Sequence, residues 1–212
     1  MTAGYPVYVE LLPSASETDW VTYADHLVAV RVDSESRLPI SKDELASGEG
    51  LIGRELSMTV LEVTWSRPGT SVAAPRTLTW AALGWTFGDK GERQMRLNGA
   101  PWIEVGHDYL IPITFIPKGD QGALLDLWTP LGLGNQLPFD QGVIGRGEAI
   151  RLADGSTYTG APTGGGQTVR DRAWGKGAAE LVALLRAAKP DPAAASDMDL
   201  PPLSRYAATQ AA

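Results

Sequence analysis

The sequence predicts a mostly β protein, and three stretches carry that expectation. In residues 103–115, Val105, Tyr109, Ile111, Ile113 and Phe115 recur with a period near two, which lines one face of a sheet, and Gly106 stands where the chain must reverse. Glycine takes the positive φ of such a turn without steric cost. In residues 51–65, Leu56, Met58 and Val60 share one face while Leu61, Val63 and Trp65 share the other. Apolar side chains on both faces are the mark of a strand inside a barrel or sandwich. In residues 26–32, Leu27, Val28, Ala29, Val30 and Val32 give a third strand.

The remaining elements follow in chain order. Ser16 is a candidate N-cap, and Glu17 and Asp19 suit the positive end of a helix, so a short helical turn opens residues 14–25 with Trp20 and Tyr23 on one face. A polar excursion over 33–50 holds one further helical turn at 42–47. Pro68-Gly69 marks a turn. Residues 76–87 form a strand carrying Leu78, Trp80, Ala82, Trp85 and Phe87, in which Gly84 points to a bulge or a close backbone approach. Residues 123–128 give one more strand. Gly132, Gly134, Gly142, Gly145 and Gly147 make 130–147 an irregular loop over one end of the sheet, anchored by Val143 and Ile144. Beyond the β domain, expected over 14–150, a glycine-rich linker spans 151–175 with a hinge at 164–166. A helix follows over 176–189, striped by Leu181, Leu184 and Leu185 and ended by Pro190. Residues 190–212 hold few groups able to bury surface and are expected to be a disordered tail.

Composition narrows the function classes. A net charge of −7 argues against nucleic acid, whose phosphates demand a cationic surface, and against anionic lipid. With no cysteine, disulfides, thiolate metal sites and a cysteine nucleophile are all excluded. Residues 1–7 show no secretory signal pattern and no apolar run reaches the roughly 20 residues of a membrane span, so a cytoplasmic protein without a membrane partner is expected.

Three blocks carry a resemblance. Residues 23–32 (YADHLVAVRV), 56–65 (LSMTVLEVTW) and 104–110 (EVGHDYL) resemble successive strands of the netrin/TIMP-like OB-barrel superfamily, and the texture is similar to small actinobacterial proteins carrying the same blocks. The resemblance implies an OB-like β-barrel with a short N-terminal helical turn and a C-terminal α-helix. Protease inhibition in that superfamily works through an N-terminal cysteine, and this chain has none, so the resemblance supplies a fold and no activity.

Candidate sites are few. Asp25-His26 and His107-Asp108 each precede a strand. Were those strands neighbours, His26, His107, Asp108 and Glu104 would converge as a metal or acid–base site; the alternative is that each histidine ties down its own turn. Of the seven tryptophans, Trp80 and Trp85 in a strand and Trp102 and Trp128 beside turns are candidates to hold a sugar or another small ligand, against the simpler role of filling the core. The glycines around Gly132 and Gly134 lack the strand, spacing and helix of a dinucleotide loop. No serine has a nucleophile-elbow context, and no catalytic set or cofactor is expected. The first expectation is therefore a non-enzymatic interaction module that holds a protein partner through the barrel's loop face or the C-terminal segment, where Leu181, Leu184 and Leu185 would meet the partner or a second copy of the chain. The alternatives are a small-ligand or carbohydrate binder and a metal-dependent hydrolase.

Overall fold

The computed structural model describes residues 12–97, 99–151, 155–157 and 168–211. Its first helix, α1 (Glu17–Tyr23), starts in a capping box: the Ser16 hydroxyl accepts from the Asp19 amide and the Asp19 carboxylate accepts from the Ser16 amide. The long strand β1 (His26–Arg37) follows, then the short helix α2 (Lys42–Ser47), β2 (Gly50–Ser66), β3 (Thr77–Phe87) and β4 (Arg93–Gln94). The strand expected over residues 103–115 forms only in its second part. Gly106 does take a positive φ, but Ile103 and Glu104 are irregular rather than strand, Val105-Gly106 form a turn, and β5 (Asp108–Ile116) begins after it. β6 (Leu127–Pro130) and β7 (Leu137–Pro138) complete the described strands, and α3 (Val169–Ala173), α4 (Ala178–Ala187) and α5 (Pro202–Ala211) end the chain.

All these strands pair antiparallel in the order β4-β3-β2-β1-β5-β6, with β7 also on β5. Three register shifts between β1 and β2 place bulges there, which strengthen the twist of the pair. The result is mostly sheet, curled into a half-barrel. Beyond β3 the ladder continues only at Trp85 and Thr86, and no described strand joins β3 to β6 or β7.

Alternation along β1 divides the core. Val28, Val30 and Val32 face the concave side with Leu56, Met58, Leu78, Tyr109, Ile111 and Ile113. Leu27 and Ala29 face the other way, where Trp65 and Leu110 meet Trp20 and Tyr23 of α1 and residues of α3 and α4. Leu181 and Leu185 are buried in that second core and Leu184 is half-buried, so the leucine stripe is spent within this chain. Each fully buried leucine contributes about 1.5–3 kcal/mol relative to exposure, enough to hold α4 in place. This corrects the expectation that Leu181, Leu184 and Leu185 form a partner surface: their partner is the protein's own α1 and sheet.

The tail is also corrected. Residues 190–212, expected to be disordered, contain a 3-10 turn at Pro192–Ala194 and the helix α5. Polar groups hold them. The buried Asp120 carboxylate accepts from the Leu203 and Ser204 amides at 2.9 Å each, and the buried Arg205 guanidinium donates to the carbonyls of Thr22, Met198 and Leu200. Within the expected linker, residues 152–154 and 158–167, including the hinge at 164–166, lie outside the described residues, and α3 occupies its end. Among the described residues no helix is long and apolar enough to cross a membrane.

Candidate functional site: a tryptophan-lined cavity

The site begins with a glycine. Ile52 pairs with Trp85 and Arg54 with Ala82, so Leu83 and Gly84 together stand opposite the single Gly53. A bulge of this kind adds one residue to one strand and switches the side chains beyond it to the opposite face. Trp80 and Ala82 face the concave side, and the extra residue brings Trp85 to that side with Ile52. Gly84 permits it, because a Cβ there would lie well inside van der Waals contact with the Ile52 carbonyl oxygen. Both the bulge and the close approach expected at Gly84 are present.

After β4 the chain crosses the open side of the half-barrel. Met95 N–H donates to the Gly84 carbonyl, and the Trp102-Ile103 dipeptide is then held by two buried ions. The Arg54 guanidinium donates to both carbonyls of that dipeptide, to the Leu83 carbonyl at 2.8 Å and to Glu35 Oε2 at 2.6 Å. The Glu148 carboxylate accepts both amides of the dipeptide, and its Oε2 also accepts the Tyr109 hydroxyl at 2.7 Å. Burial pulls the Arg54 pKa down, against the opposing pull of Glu35 and Glu148. Burial and then the Glu148 charge push the Tyr109 pKa up, so its hydroxyl stays a donor. Ile103 sits at φ +66°, a costly conformation for a β-branched residue that persists only where the surroundings impose it.

These elements enclose a cavity of about 650 Å³. One wall is Ile52, Trp80 and Trp85, another is Met95, Leu97 and Trp102, and Leu133 and Gln136 lie across the gap from β3. Trp85 meets Trp102 edge to face at 5.6 Å. Guanidinium groups lie over the indoles: Arg37 at 4.3 Å from the Trp85 centroid, Arg54 at 3.8 Å and Arg96 at 5.2 Å from that of Trp102. Volume and lining are those of a small-molecule pocket, apolar with a few placed polar groups.

Trp80, Trp85 and Trp102 are thus brought together. Trp128 does not line the cavity: it packs against Phe115 at 5.3 Å and His26 at 5.6 Å.

The two-histidine site does not assemble. β1 and β5 are neighbours as supposed, but antiparallel, with His26 opposite Ile113 and Arg31 opposite Asp108. Five residues at about 3.3 Å per residue separate the two ends, so the imidazoles stand on the order of 16 Å apart along the strands. Each histidine has local work. His26 lies 2.9 Å from both Ser66 Oγ and the Val72 carbonyl, and its neighbour Asp25 accepts from Arg67, Thr70 and the Phe115 amide. His107 Nδ1 is 2.7 Å from Asp140 with Glu104 at 3.9 Å, and Asp108 is paired with Arg31. Among the described residues no group of three or more His, Cys, Asp and Glu is placed to hold a metal ion. A metal centre on His26, His107, Asp108 and Glu104, and the hydrolase built on it, are ruled out by the register.

Arg54, Arg96 and Glu148 were missed. Arg54 had left a signal: it interrupts an inward-facing apolar row formed by Ile52, Leu56, Met58 and Val60.

Comparison with known proteins finds no matching family model, no similar curated protein and no similar solved structure.

Proposed function

We propose that the protein binds a small apolar ligand in the tryptophan-lined cavity and does not transform it. The observation that carries this reading is the convergence of Trp80, Trp85 and Trp102 from two separate segments on one 650 Å³ space. Of the charged groups of its wall, Arg54 is engaged with Glu35 and three carbonyls, and Glu44 with Ser41 and the Leu51 amide. A sugar stacks on an open aromatic face, whereas the wall guanidiniums of Arg54 and Arg96 lie over the Trp102 ring, which favours an apolar guest over a carbohydrate there. An interaction module reached through the C-terminal helix loses its motive once Leu181 and Leu185 are buried in cis.

We further read the order β3-β2-β1-β5-β6 as an OB-like barrel left open between β3 and β6, in line with the netrin/TIMP-like resemblance, and we assign the protein to the cytoplasm. The cavity then occupies the place where such a barrel would close.

Tryptophan fluorescence tests the binding reading. Apolar ligands should shift or quench the emission of the wild-type protein with saturation. Trp128→Phe should preserve that response, and Trp85→Leu should weaken it. An emission unmoved by a panel of apolar molecules would count decisively against the cavity as a binding site.

A further inference from the structure

We infer that the ligand is an apolar molecule ending in a carboxylate, and that Arg96 recognises the carboxylate; the inference rests on the small-ligand reading above. Two observations carry it. First, Trp102, at the wall beside Arg96, is already served by cations that line the cavity. Cation–π recognition of a ligand ammonium needs a vacant aromatic face, and Arg37, Arg54 and Arg96 lie over Trp85 and Trp102. At Trp102 a cationic guest would meet the Arg54 and Arg96 guanidiniums in place of an open π face.

Second, the two cations on the wall differ in what they have left to give. Arg54 is buried and donates from Nε and both terminal nitrogens to protein acceptors. Arg96 is about a quarter exposed, its Nε donates to Gln94 at 2.8 Å, and its Nη1 stands 3.6 Å from Glu148, beyond direct hydrogen bonding. Glu148 is its ion-pair partner without a hydrogen bond to it: Oε1 accepts from Trp102, and Oε2 from Ile103 and Tyr109. The terminal edge of the Arg96 guanidinium makes no hydrogen bond among the described residues, and a guanidinium edge is the fork that grips a carboxylate with two parallel bonds. The carboxylate that does line the cavity, Glu44, is turned to its own loop, accepting from Ser41 and the Leu51 amide. A carboxylate at Arg96 leaves the apolar remainder of the ligand against Trp102, Leu97 and Met95.

The test is a titration of the full chain, followed by tryptophan fluorescence, with two matched sets: dodecanoate, dodecanol and dodecylamine, then naphthaleneacetate with its alcohol and amine. The acid should bind about tenfold tighter than the alcohol in at least one set, the scale of one charge-assisted hydrogen bond, and the amine should bind weakest. Arg96→Gln should bring the acid down to the alcohol, and Arg96→Lys should restore part of the difference. A thermal melt of each variant separates lost binding from lost folding. Acid and alcohol binding alike, an amine binding tightest, or a preference untouched in Arg96→Gln would overturn the assignment to Arg96 while leaving the cavity a binding site. Silence with all six probes would overturn both readings.

Discussion

Arg54 and Glu148 grip the same dipeptide from opposite sides, one taking the two carbonyls of Trp102 and Ile103 and the other taking their two amides. Four backbone groups that a buried crossing would leave unpaired are satisfied by two side chains. The pair also explains why Ile103 tolerates φ +66°, since each ion fixes one side of the peptide plane. Trp102 is thereby presented to the cavity at a defined position.

Glu148→Gln tests that relationship. An amide has one acceptor oxygen where the carboxylate has two, and its NH₂ cannot accept from Ile103 or Tyr109. The buried Arg54 also loses a neighbouring opposite charge. The variant should unfold with a loss of about 2–4 kcal/mol, the range for breaking a buried ionic network. Urea denaturation measures it, and a loss below about 0.5 kcal/mol would show that the clamp is decorative.

Gly84→Ala separates the bulge from the rest of the sheet. The new methyl would press on the Ile52 carbonyl, which is backbone and unable to swing aside. The ladder must open near Ile52 and Trp85, at an expected cost of about 1–3 kcal/mol. Ligand binding should fall as well, because the bulge is what turns Trp85 into the cavity. Gly69→Ala, in open space though at a positive φ that Gly84 does not have, is the control for glycine removal alone, and it should leave binding unchanged.

The contrast between Gly84 and Arg205 shows what was legible in the sequence. Strand positions with local signatures were readable: alternation in β1 and β2, the glycine that breaks β3, the positive φ at Gly106. The tryptophans stood out by number, but their grouping did not, because Trp102 reaches Trp85 through a crossing held by ions distant in sequence. The histidines misled for a related reason. Two similar Asp and His pairs at strand starts look equivalent in a string, whereas antiparallel pairing sends them to opposite ends. The tail failed because its order rests on polar caps at Asp120 and Arg205, and apolar counting is blind to those.

His26 gives the protein a dependence on pH. Burial depresses its pKa, against the raising effect of the Val72 carbonyl and Asp25. The folded state therefore prefers the neutral ring, and the unfolded chain takes up a proton first as pH falls. Stability from this group is complete above the ordinary histidine value of about 6.5 and is lost progressively below it. Denaturation midpoints of wild type should drop between about pH 7.5 and pH 5.5. His26→Gln should be less stable at the upper pH, through loss of the Ser66 and Val72 contacts, yet show a shallower decline. Parallel declines in the two proteins would assign the acid sensitivity to other groups.

Arg205 is the last test, because it decides whether the C-terminal segment is part of the fold. Burial pulls its pKa down to about 10, so the guanidinium is still cationic at neutral pH, and it spends that charge on three carbonyls. Those carbonyls belong to Thr22 at the end of α1 and to Met198 and Leu200 before α5, so one side chain ties both ends of the chain together. Arg205→Met keeps the apolar stem and removes the donors. It should cost about 2–4 kcal/mol through the orphaned carbonyls, a fall in melting temperature of roughly 4–16 °C for a chain of this size. Ending the chain after Lys189 removes the same bonds together with the packing of Tyr206 on Tyr23 at 5.8 Å, and it should cost at least as much. Unchanged melting in both variants would return residues 190–212 to the status of a tail and release Leu203 and Tyr206 from the core they pack against.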